Sequence, residues 1–339
     1  MGITNFSLPT LVALVVATTV SAADPVAELA SFSVFDSVDL SELAKGDAKT
    51  AHGPPMSNPR FLSVQSCYVS PGSPAQQIEA MKRWNPAKHR ELKVYLHADL
   101  PGSPSPADFS RLQKAPDSGA VRSLVSATLK MSSDLQISRE EAKKFSGGEE
   151  KGGGAMSPEV AKFWAEILSG RARAFASGGT SAQPAYDHTG ENIRPGEELN
   201  GLLKQQDKVR RQFSGFLGGT GIGRGGGSIT PELYWELLEV DDQGVVTLGA
   251  SYTRAGGGTG QAADVLYYAS GGYYVALTLY QLWPVTVEGK ASTLVWRGDM
   301  ISSASLASLH GVERLASESA MMKDISKAIA LFRRDTSGR

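Results

Sequence analysis

Residues 233–252 read LYWELLEV, DDQG, VVTLGASY: two apolar-rich runs of strand length on either side of four turn-forming residues. Asp241-Asp242-Gln243-Gly244 between such runs predicts a β-hairpin. The pattern continues downstream, where strands are expected at 264–270, 273–283 and 292–301, joined near Gly271-Gly272 and at Glu288-Gly289. Sequential strands with short connections pair with their neighbours, so the last third of the chain predicts an antiparallel meander.

Past the meander, Leu315, Met322, Ile325, Ile329 and Phe332 share one face at helical spacing. They predict a helix over about 305–334 lying across the sheet. A meander closed by a long terminal helix resembles, by analogy of arrangement alone, the helix-grip folds, in which helix and curved sheet enclose an apolar ligand. Likeness of fold does not carry function.

Upstream, a strand at 61–69, a helix at 74–84 and a second strand at 92–97 form a strand, helix, strand unit. From Ser105 the character changes, because Ser105-Pro106, Ser138-Arg-Glu-Glu141 and Ser157-Pro158-Glu159 each set a capping serine before a helix-compatible run. Helices are expected at 105–112, 119–131, 138–145, 158–175 and 197–216, with mobile loops at 147–154 and 178–196. The expected class is α+β: an irregular arm at 24–58, then a single domain at 59–339 with a helical insertion at about 105–216.

The first charged side chain is Asp24, preceded by an apolar run at 8–20 and by the small residues Ser21, Ala22 and Ala23. This predicts a signal peptide at 1–23, cleaved before Asp24, although no Lys or Arg precedes the apolar run. The run falls short of the roughly 20 residues a spanning helix needs, so no integral membrane segment is expected after cleavage. With Cys67 as the single cysteine, no intramolecular disulfide can form, and a bacterial periplasmic or extracellular setting fits better than a eukaryotic secretory one. The 34 basic and 35 acidic residues give a formal charge of -1, which supplies no electrostatic reason for nucleic acid or an anionic membrane as partner.

Motifs of chemistry are scarce. Gly221-Ile-Gly223-Arg-Gly225-Gly226 matches a dinucleotide fingerprint in letters, but a polar, helical segment precedes it where the motif needs a strand, so a flexible glycine loop is expected. Gly256-Gly257-Gly258-Thr259-Gly260 reads the same way, and the two loops together suggest a mobile lid. His52, His89, His97, His188 and His310 lack zinc-site spacing, and there is no G-x-S-x-G elbow. No metal and no cofactor is expected.

Two sets of residues remain as candidates. Glu318 falls on the apolar stripe of the last helix, one turn from Arg314, while Arg297 and Asp299 share a strand face opposite Trp296. Together they form a catalytic candidate set, an acid and base beside a pocket, though structural ion pairing is the commoner role of such groups. The second set is aromatic: Tyr267, Tyr268, Tyr273, Tyr274, Tyr280 and Trp283, in one hairpin. A four-residue loop would pair Tyr268 with Tyr273 and Tyr267 with Tyr274, giving a patch able to bind a ligand. The leading expectation is an exported, non-catalytic protein that binds an apolar or amphipathic small molecule, or a protein partner, between the last helix and the sheet. A hydrolase using the Glu/Asp pair and a structural envelope protein are the alternatives.

Overall fold

The computed structural model describes residues 24–147 and 156–337, so the signal-like segment at 1–23 and most of the 147–154 loop lie outside the described residues. The strands are β1 (Lys49–His52), β2 (Phe61–Pro71), β3 (Val94–Leu100), β4 (Glu232–Val240), β5 (Gln243–Gly256), β6 (Thr259–Ala269), β7 (Val275–Val287) and β8 (Lys290–Ser302). They form one antiparallel sheet in the order β1-β2-β8-β7-β6-β5-β4-β3. β4 to β8 are the meander; of the three earlier strands, β2 pairs with β8 and carries β1 on its outer side, while β3 pairs with β4 at the opposite edge. The chain between β2 and β3 therefore crosses the width of the sheet.

Three turns of the meander are two-residue loops with left-handed backbone at both positions: Asp241-Asp242, Gly257-Gly258 and Glu288-Gly289. That twist matches the strands it joins. Gly256–Gly260 is thus part of a continuous hairpin, with Gly256 paired to Thr259 and Ala255 to Gly260, and not a lid. The other glycine run is fixed as well. Gly221 ends a helix in the left-handed region, and the carbonyls of Ile222 and Gly223 accept the amides of Thr180 and Ser181.

The helices are α1 (Pro25–Phe32), α2 (Leu40–Lys45), α3 (Pro74–Arg83), α4 (Gly119–Leu129), α5 (Arg139–Ala142), α6 (Pro158–Gly178), α7 (Pro195–Lys204), α8 (Asp207–Gln212), α9 (Ser214–Thr220), α10 (Ala304–Ser308) and α11 (Gly311–Ser337). Among the described residues no helix is long and apolar enough to cross a membrane. The expected helix at 197–216 is broken into α7, α8 and α9, since Gln206 leaves helical geometry and Phe213 separates the next two. The expected helix at 105–112 is a 3-10 helix, Pro106–Lys114.

The result is an α+β protein with a helix layer on each face of the sheet. One face packs on the helices between β3 and β4, where Trp164, Phe175, Leu202, Phe213, Trp235, Trp283 and Trp296 belong to one buried core with Cys67. Burial pushes the Cys67 thiol up to about 12, so it stays protonated. The other face carries α3 and α11: Ile78, Ile325 and Ile329 pack with Val64, Tyr68 and Val295. Only the later part of the α11 stripe is seated there. Leu315 is 57% exposed, so the expectation that it docks on the sheet is corrected.

Candidate functional site

Where α3 and the last turns of α11 stand over the sheet they do not fill the space beneath them, and a cavity of about 370 Å³ remains. That size falls within the usual range for small-molecule sites. Apart from Lys82 of α3, its wall is mainly apolar, with Met81 and Trp84 from α3 and its end, Val94 from β3, and Ile329 and Phe332 from α11. Its floor is polar and comes from the sheet: His97, Tyr234, Glu236, Asp264, Thr278 and Arg297.

Strand register explains how distant residues meet. Glu232, Ser251, Asp264, Thr278 and Asp299 are successive cross-strand partners from β4 to β8, so their side chains form one row on one face. In the neighbouring row Tyr234 pairs with Gly249. Because Gly249 has no side chain, the Tyr234 ring lies flat across β5 and its hydroxyl donates to Asp264 Oδ1 at 2.6 Å. A glycine inside a strand here marks a close approach.

Asp264 borders the cavity yet is surrounded by protein. Burial pushes its carboxyl up to about 7, against the Tyr234 bond, which favours the ionised form. The Tyr234 phenol is pushed well above its ordinary value by burial and then by the Asp264 and Glu236 charges. His97 Nδ1 lies 2.9 Å from Glu236 Oε1, and its ring is tilted by 32° against the Tyr234 ring with centroids 5.4 Å apart. Burial opposes the imidazolium, but the bond to Glu236 and the nearby carboxylates outweigh it and hold His97 above its usual value. Arg297 is bound through Nε and Nη2 to Asp299, which also accepts Thr278 Oγ1 at 3.0 Å.

The chain matches no family model, no curated protein and no solved structure. The geometry of the cavity is therefore the guide to its function.

The catalytic candidates fall into two separate networks. Arg297 and Asp299 pair with each other, as their shared face suggested, and Arg297 borders the cavity. Glu318 pairs with Arg314 at 3.3 Å and His52 at 3.0 Å, while Arg314 also donates to the carbonyls of Pro59 and Phe61. That pair ties the start of α11 to the β1–β2 region.

Of the aromatic set, Tyr280 lines the cavity and stacks under Arg297, whose guanidinium carbon is 5.5 Å from the ring centre. The others face elsewhere. A bulge between Leu248 and Gly249 on one strand and Leu266 and Tyr268 on the other turns both adjacent tyrosines toward α6. Tyr267 stacks on Phe175 at 3.8 Å, and Tyr268 lies 4.3 Å from the Arg171 guanidinium one helical turn earlier. Trp283 packs against Phe32 on that face, Tyr274 against Tyr186, and Tyr273 is buried beside Val245 and Ala269. The expected Tyr-on-Tyr register is corrected too, because β6–β7 pairing ends at Leu266 with Ala276 and leaves a longer loop.

His97, Tyr234, Glu236 and Asp264 were not singled out from sequence. Their signal was present in β4, where Glu232, Tyr234 and Glu236 alternate with apolar residues, but alternation reads equally as a solvent face. Asp187-His188, adjacent in sequence, is structural: Asp187 accepts the Arg139 amide, and His188 Nε2 lies 3.1 Å from the Met131 carbonyl.

Proposed function

We propose that this is an exported, non-catalytic binding protein that holds a small amphipathic molecule in the cavity between α3, α11 and the sheet. The observation that carries it is the cavity's polarity gradient: an apolar wall of Met81, Trp84, Ile329 and Phe332 faces a floor of hydrogen-bonding side chains. Burying a ligand's apolar body against that wall is worth roughly 25 cal/mol per Å². A few placed polar groups then orient it. Export rests on the apolar segment before Asp24.

Native mass spectrometry of the purified protein, before and after incubation with a lipid extract, tests the binding. A bound mass that is displaced by an apolar fluorescent dye is the expected result. If nothing co-purifies, and neither added fatty acid nor dye binds, the proposal fails.

A further inference from the structure

The charge arrangement on the cavity floor deepens that proposal, on which it rests. Four carboxylates line the cavity: Asp99, Glu232, Glu236 and Asp264. Glu232 is paired with Lys82 at 2.9 Å, Glu236 with His97 at 2.9 Å, and the exposed Asp99 lies 3.8 Å from His97 Nε2. Arg297, the remaining cation of the lining, is taken by Asp299 at 2.7 Å. Among the described residues, Asp264 alone of the four has no cation within ion-pair distance.

We infer that Asp264 is the counter-ion for a cationic, amine-bearing head group, and that the cavity therefore takes an amphipathic amine rather than a fatty acid. The Asp264 carboxyl accepts one bond, from Tyr234, and its remaining lone pairs are free for an ammonium. The Tyr234 ring borders the same space, and an aromatic ring attracts a cation placed over its face. An anionic head group would meet the unpaired Asp264, with both full cations of the lining, Lys82 and Arg297, already engaged. That arrangement repels it. An ammonium beside Asp264 also offsets the burial cost of the ionised carboxylate, so binding below neutral pH releases a proton from the acid.

Three probes with the same alkyl chain and different heads test this: octylamine, octanol and octanoate, titrated at pH 8 by displacement of an apolar dye from the full chain. Octylamine should bind about tenfold or more tightly than octanol, with octanoate weakest. In Asp264→Asn, which keeps the shape and can still accept from Tyr234, the advantage of octylamine over octanol should be lost, the two binding with about equal affinity. Octanol or octanoate binding as tightly as octylamine, or an amine preference that survives Asp264→Asn, overturns the inference and leaves the cavity proposal standing. Failure of all three probes to displace the dye overturns the inference, and absence of dye binding as well overturns both. Retained octanol binding shows that the variant is folded.

Discussion

Tyr234 reaches Asp264 across two strand spacings, and Gly249 is the reason it can. A Cβ at Gly249 would stand 2.1 Å from Tyr234 Cζ and 2.4 Å from its hydroxyl. Gly249→Ala must therefore expel the ring from its place over β5 and break the bond to Asp264. The expected cost is about 1–3 kcal/mol in urea unfolding. In a Tyr234→Ala background the same alanine should cost much less, because the clash is gone. A double-mutant cycle reads the difference as a coupling of about 1 kcal/mol or more, and a coupling near zero would show that the ring does not depend on the glycine.

Asp264 gives stability a pH dependence of unusual sign for an acid. Its folded pKa lies near 7, above the ordinary 3.8, so between those values the folded chain holds a proton that the unfolded chain releases. Stability thus falls as pH rises from about 4 to 7 and levels off above. Asp264→Asn removes this term: the variant should match the parent near pH 4 and exceed it at pH 8 by on the order of 2–4 kcal/mol. Equal unfolding midpoints at both pH values would mean that the carboxyl is better solvated than its surroundings indicate.

Much of this architecture was legible because it is local. The meander follows from turn residues such as Asp241-Asp242 and Glu288-Gly289, whose left-handed backbone is set within two positions. The edges were not legible, because pairing of β2 with β8 joins segments more than two hundred residues apart that no periodicity links. Tyr267 and Tyr268 defeated alternation through a single extra residue, the bulge opposite Leu248 and Gly249. Arg297 and Asp299 were found because a strand of period two places them together. Asp264 was missed because an isolated polar residue in a strand reads as solvent-facing until the helix that covers it is known.

Asp335, near the end of α11, accepts the Trp84 indole N–H at 3.0 Å and lies 2.8 Å from His89 Nε2, joining the two helices that wall the cavity. Burial works against the Asp335 carboxylate, but the bonds to Trp84 and His89 outweigh it and hold its pKa below the ordinary value. The stabilisation this group supplies is therefore complete above about pH 4 and is lost as pH falls through the lowered value. Asp335→Ala should cost about 1 kcal/mol at neutral pH, since the group is partly exposed. It should also loosen Trp84. Intrinsic fluorescence shifting to the red, with faster release of bound dye, is the expected pair of readouts. An unchanged spectrum would show that Trp84 is held by its packing on Phe332 instead.

On the opposite face, Arg171 is fully buried between the rings of Tyr268 and Tyr186, with Glu141 Oε2 at 2.6 Å and the Pro184 carbonyl at 3.1 Å. Removing one member of a buried pair strands the other charge in a poor solvent, whereas removing both strands neither. Arg171→Met should therefore destabilise by about 3–5 kcal/mol, and the double variant Arg171→Met with Glu141→Leu should recover a large part of that loss. Both changes lie across the sheet from the cavity. The amine preference measured with octylamine and octanol should thus stay the same in the double variant, even where its unfolding midpoint is lowered. Asp264→Asn should do the reverse, losing the preference without losing stability. If instead Arg171→Met removed the preference, the two faces would be coupled through Tyr268 and β6, and the site would extend into the helical layer.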